Sequence, residues 1–227
     1  MPVATLLTHL NLIKEDGALA NAAILLFGKN PQKYFINSEV KCAQFYGCEV
    51  EKPMADHQIY TGDVFDLADQ ATRFVMTHIS RSIGRHNGET GSAPTTYELP
   101  YDAVFELIVN AICHRDYTSH ESVQVMLFKD RLEIWNAGSL PRGWTVKDLY
   151  RPHTSLPPPV FTEGPDFRAV LYRSDANDAK EKSTCRFDSA HRSRQGWPLG
   201  SCLIVATGAA RTLLRRWLMW NVPWIEA

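Results

Sequence analysis

Residues 122–138 read SVQVMLFKDRLEIWNAG, two alternating apolar runs joined at Lys129-Asp130-Arg131. Both arms are rich in apolar and β-branched residues, which predicts a β-hairpin closed by a tight turn. Upstream, Tyr101 to Cys113 predicts a helix opened by Pro100, with Val104, Leu107, Ile108, Ala111 and Ile112 on one continuous apolar face. A helix packed on antiparallel strands predicts an α+β fold: a two-layer α/β sandwich with helices on a mostly antiparallel sheet.

The flanking sequence extends this pattern. Val3 to Ile13 has apolar residues at helical spacing, and Gly17 follows as a stop. The run NAAILLFGK at 21–29 fits a strand or a buried helical turn, whereas EVKCAQFYG at 39–47 alternates partially, as a strand does. Thr61 to Ile83 predicts an amphipathic helix with Leu67, Ala71, Phe74, Val75, His78 and Ile79 on one face. Residues 84–100, GRHNGETGSAPTTYELP, predict a polar surface loop. Residues 151–167 are too proline-dense for regular structure throughout, and RAVLYR at 168–173 predicts one more strand. The expected division is therefore one domain over 1–173, in halves 1–97 and 98–173, and an irregular tail over 174–227.

Bulk properties narrow the function classes. The chain has 227 residues, 44% of them hydrophobic and 22% charged, enough for a packed core without metals or disulfides. A formal net charge of −1 supplies no overall field for gathering DNA or acidic membranes. The five scattered cysteines have neither disulfide pairing nor zinc-ligand spacing, so reduced thiols in a cytoplasmic protein are expected. Neither a signal peptide nor a membrane span is legible, and the apolar stretches near the end are cut by Arg211, Arg215 and Arg216.

The chemistry concentrates in residues 106–117, ELIVNAICHRDY. Glu106 and Asn110 lie four apart, so on a helix they project from nearly the same face. A carboxylate and an amide so placed suit hydrated Mg²⁺ and an attacking water: Mg²⁺ needs few protein oxygens, and the carboxylate acts as base or orients the nucleophile. A solvated helix edge carries the same pair, and the spacing alone leaves both readings open. His114-Arg115-Asp116 invites comparison with a protein-kinase catalytic loop, but the position five after the Asp is Glu121 where that pattern requires Asn. Arg115 and Asp116 are instead expected to pair with each other or with neighbours, with His114 capping the last carbonyls, where positive charge is favoured.

The segments NAAILLFGKNPQKYF, ELPYDAVFELIVNAICHRDY and VQVMLFKDRLEIWNAGSLPRG, spanning about Leu6 to Arg151, resemble the C-terminal region of bacterial transcriptional regulators, also described as ATP-dependent DNA helicase RecG-related proteins. In these an N-terminal Schlafen-type, AlbA-like domain is implicated in DNA binding, and the next domain resembles the ATPase shared by gyrase and histidine kinases. The resemblance implies a water-activating Glu106, a Mg²⁺-holding Asn110, and adenine contacts from Asn136 and Gly138. His114, Arg115 and Asp116 are carried along as nucleotide-binding positions, and the implied cofactors are ATP and Mg²⁺. Asn136 stands where the superfamily has Asp, and Leu140 where it has a second glycine. An Asn oxygen still accepts from the adenine amino group, without the strength of a charged bond.

No glycine cluster follows Gly143 to cradle a triphosphate, and two pieces that the family separates are joined at Ser155-Leu156-Pro157. The chain begins where the second domain would, so DNA contact is expected only through a missing N-terminal domain or a partner. The tail resembles nothing in the family and reads as a frame-shifted remnant. The expected function is a degenerate ATP-binding domain with weak or no hydrolysis and no helicase motor motif. The alternative is a non-catalytic interaction or homodimerisation module, DNA-associated through Arg192, Arg194, Arg211, Arg215 and Arg216.

Overall fold

In the computed structural model, which describes residues 3–14, 16–83, 95–139 and 158–173, the hairpin forms the middle of a six-stranded sheet. Its arms are β5 (Val123–Leu127) and β6 (Arg131–Asn136), paired antiparallel with Val125 opposite Ile134. The turn is tight, the Phe128 amide donating to the Arg131 carbonyl at 2.8 Å. On one side β5 runs parallel to β1 (Val40–Gln44), which pairs antiparallel with β2 (Asp56–Tyr60). On the other, β6 meets β8 (Phe167–Tyr172), and β8 meets β7 (Val160–Glu163), both antiparallel. The order is β2-β1-β5-β6-β8-β7. A separate two-stranded ribbon joins β3 (Arg81–Ile83) to β4 (Thr95–Tyr97).

Two helices cover one face of this sheet and pack on each other: α3 (Val64–His78) and α4 (Tyr101–His114). Asp63 starts α3 by accepting from the Phe65 and Asp66 amides, both at 2.9 Å, which satisfies two otherwise orphaned donors. Pro100 starts α4 with a preset φ of −61° and no side-chain cap. Leu67, Ala71, Phe74 and Val75 of α3, with Val104, Ile108, Ala111 and Ile112 of α4, close over Val40, Cys42, Val123, Val125, Leu127, Leu132 and Ile134. The architecture is α+β, helices on a mixed sheet with one parallel pair.

Several boundaries differ from the sequence expectation. Residues 21–29 hold a helix, α2 (Asn21–Phe27), and its buried Ala22, Ala23, Leu25 and Leu26 follow helical rather than alternating spacing. The first helix, α1 (Val3–His9), stops short of Ile13, where Asn11 has a φ of +53° and Ile13 bridges to Leu19. The expected helix over 61–83 ends at His78: Ile79 turns extended, and Arg81–Ile83 pairs with β4, inside the expected loop. β2 carries exposed polar residues at its centre and so lacks an apolar signature. β7 forms beside prolines because an edge strand tolerates them. The expected tail, 174–227, lies outside the described residues.

The opposite face is sealed by its own long side chains. Phe45 stacks on Phe128 at 4.9 Å, and Arg131 lies over Phe128. Buried Glu133 accepts from Arg131 Nε at 2.5 Å and Trp135 Nε1 at 2.9 Å, and Arg168 sits 3.6 Å above the Trp135 ring. This arrangement explains how a charged residue is buried mid-strand: its oxygens are satisfied by neighbours on the same face.

Candidate functional site

Strand alternation decides which way Asn136 faces. Leu132, Ile134 and Asn136 are two apart on β6, so Asn136 joins the helix-facing row, a polar residue at the end of an apolar stripe. It is 3% exposed, and its Nδ2 finds no hydrogen-bond partner among the described residues. A buried amide donor left unpaired costs on the order of 1–3 kcal/mol, so its retention needs a reason.

The end of α4 closes on the same spot. A Cβ built on Gly138 would fall under 3.0 Å from the His114 carbonyl oxygen, 2.9 Å from Asn136 Nδ2 and 3.2 Å from Arg115 Cα. Only a glycine allows the strand end to approach the helix end this closely. The Asp116 amide then donates to the Ala137 carbonyl at 2.5 Å, stitching the two elements together.

Each residue of the His-Arg-Asp-Tyr segment is engaged. Burial pushes the His114 imidazole down to about 4, so the ring is neutral at pH 7. It cannot act as the cationic helix cap expected from sequence, because desolvation outweighs attraction to the helix end. Arg115 is 7% exposed: Nη1 donates to the Asn37 carbonyl, Nη2 to the Glu121 carbonyl at 2.6 Å, and the guanidinium lies 4.8 Å from the Tyr117 ring centroid. Arg115 makes no ion pair among the described residues; its neighbours at the helix end, rather than Asp116, are its partners. Burial lowers the guanidinium below its usual range. Asp116 is exposed and accepts from Thr118 Oγ1 at 2.6 Å and the Thr118 amide at 2.8 Å, contacts that hold its carboxyl below the usual range. Tyr117 donates its hydroxyl back to the Ile112 carbonyl at 2.8 Å.

Glu106 and Asn110 are both half-buried. At 3.6 residues per turn they lie on the flank of α4 opposite Val104 and Ile108, with His114 next in the same i, i+4 series. Asn110 stands about 6 Å, and Glu106 about 12 Å, along the axis from His114. The structure thus brings His114, Arg115 and Asp116 together with Asn136 and Gly138, while Asn110 and Glu106 stand one and two turns further up the helix. Among the described residues no group of three or more His, Cys, Asp or Glu is gathered for a metal. Leu140 and the junction at 155–157 lie outside the described residues. Sequence reading missed Asn37 and Glu121, whose carbonyls receive Arg115; backbone acceptors leave no side-chain signature.

No family model and no curated protein matches the chain. Among solved structures, the crystal structure of the DIP2311 protein from Corynebacterium diphtheriae is similar, with a TM-score of 0.56 and 19% identity, over 76% of this chain and 41% of that one. The similarity supports the fold. The chain spans less than half the length of that protein. Among the described residues, no helix is long and apolar enough to cross a membrane.

Proposed function

We propose that the chain is a degenerate ATP-binding domain of the kind found in the bacterial regulators it resembles, with little or no hydrolysis. The observation that carries this reading is Asn136: a buried amide facing the helix layer, its Nδ2 unpartnered among the described residues, beside a glycine that lets the end of α4 come close. An amide suits the base of ATP, since its oxygen accepts from the adenine amino group while its N–H donates to the adjacent ring nitrogen. Asn110 would hold Mg²⁺, which keeps most of its waters and takes its remaining oxygens from phosphates, so no carboxylate cage is required. The metal would supply charge neutralisation at those phosphates. Glu106 would orient or deprotonate a water from its half-buried flank.

Cytoplasmic location, homodimerisation and DNA contact through a partner belong to the same proposal. Isothermal titration with ATP, with and without Mg²⁺, is the test. Weak saturable binding is expected, with Asn110→Ala abolishing its Mg²⁺-dependent part. Identical heats for wild type, Glu106→Gln and Asn110→Ala would instead favour a non-catalytic interaction module.

A further inference from the structure

The His-Arg-Asp-Tyr segment looks in sequence like a set of reactive groups, yet its side chains are directed at the fold. Arg115 bridges three separate pieces of chain: the Asn37 carbonyl before β1, the Glu121 carbonyl before β5, and its own position at the end of α4. Tyr117 supports the guanidinium with its ring and ties its hydroxyl to the last turn of α4. Phe35 packs edge-on against Tyr117, with ring centroids 6.1 Å apart. Asp116 fixes the following turn through Thr118, and its amide holds the Ala137 carbonyl. The place these contacts lock is the approach of the α4 end to Asn136 and Gly138.

We infer that Arg115 is a positioning residue: its fork sets the docking of the α4 end against the β6 end and thereby fixes the orientation of the Asn136 amide. The link to ligand binding rests on the nucleotide reading above; the docking itself does not. A planar fork is needed because two carbonyls must be met at once with the ring of Tyr117 alongside. A lysine keeps the charge but offers a single nitrogen in place of two held in a fixed fork, and it stacks less well. The charge stays buried without a direct ion pair because two carbonyl dipoles and a π face share its solvation, with the Asp116 and Glu39 carboxylates adding attraction from further off.

Arg115→Lys in the full chain, followed by amide hydrogen exchange and ¹⁵N spectra without nucleotide, tests the docking. Exchange of the Asp116 amide should accelerate at least about tenfold, and the Gly138 and Asn136 side-chain signals should move, while α3 amides keep wild-type protection. Wild-type behaviour at Asp116, Gly138 and Asn136 would overturn the inference, as would acceleration spread evenly over α3 and β1. Should Arg115→Lys fail to fold, Tyr117→Phe removes the bond to Ile112 while retaining the ring, and the same localised response is required of it. If wild type binds ATP, Arg115→Lys should weaken binding at least about fivefold. A wild type that ignores ATP would refute the nucleotide reading and leave the exchange result to judge the docking alone.

Discussion

The two helices of the covering layer end in opposite ways. α3 closes with ordinary surface chemistry: Asp63 caps its start, and at its other end His78 Nδ1 lies 2.7 Å from the Phe74 carbonyl while Nε2 lies 3.2 Å from the edge-strand carboxylate of Asp56. α4 closes inside the protein, with a neutral imidazole, a buried guanidinium and a glycine-permitted contact onto β6. The difference is one of where the last carbonyls go. At α3 a surface side chain and the carboxylate beside it suffice; at α4 the contacts come from elsewhere in the fold, and two buried polar atoms, Arg115 Nε and Asn136 Nδ2, find no partner among the described residues. The nucleotide proposal rests on the second of these, the Asn136 amide.

Three perturbations break or sharpen that contrast. Gly138→Ala places a methyl against the His114 carbonyl, a backbone atom with little freedom to yield, and should cost about 3 kcal/mol in urea unfolding. A loss no larger than that of a surface glycine would show that the α4 end is not tightly docked.

Acid should act more strongly on the α4 end through His114. Its folded imidazole is held down at about 4, whereas the unfolded chain takes up the proton near the ordinary value of about 6.5. Between these values the unfolded state binds more protons, so this contribution is present above about pH 6.5 and is lost as pH falls toward 4. For a half-buried ring the loss should approach about 2 kcal/mol, and His114→Gln should flatten that part of a stability–pH curve. An unchanged slope in the variant would assign the acid sensitivity elsewhere.

Asp63→Ala, at the opposite helix, removes two cap hydrogen bonds and should cost about 1 kcal/mol, without altering the Gly138 or Asn136 signals. A response at those signals would mean that the two helix ends are coupled.

Sequence patterning disclosed the middle of the molecule more fully than its edges. The hairpin at 123–136 and the helix after Pro100 were legible because each buries a row of apolar residues at its own period, Val123, Val125 and Leu127 on β5 and Val104, Ile108 and Ala111 on α4. β2 and β7 were not, since an edge strand buries little and its pattern is polar. α2 was ambiguous because its seven residues, apolar at every position after Asn21, serve either period. At the site, Gly138 and Asn136 stood out through family resemblance. The burial of Arg115 did not, because its partners are the carbonyls of Asn37 and Glu121, which any residue type would present there. The neutrality of His114 likewise depends on burial that only the packed fold creates.

The central claim is that the Asn136 amide is available to a nucleotide base. Titrating ¹⁵N-labelled protein with ATP and Mg²⁺ tests it directly by following the Asn136 side-chain NH₂ and the Gly138 amide. The account predicts saturable shifts at both, reduced when GTP replaces ATP and absent in Asn136→Leu. Signals that stay fixed at millimolar ATP, in a protein whose α4 end remains protected from exchange, would contradict it.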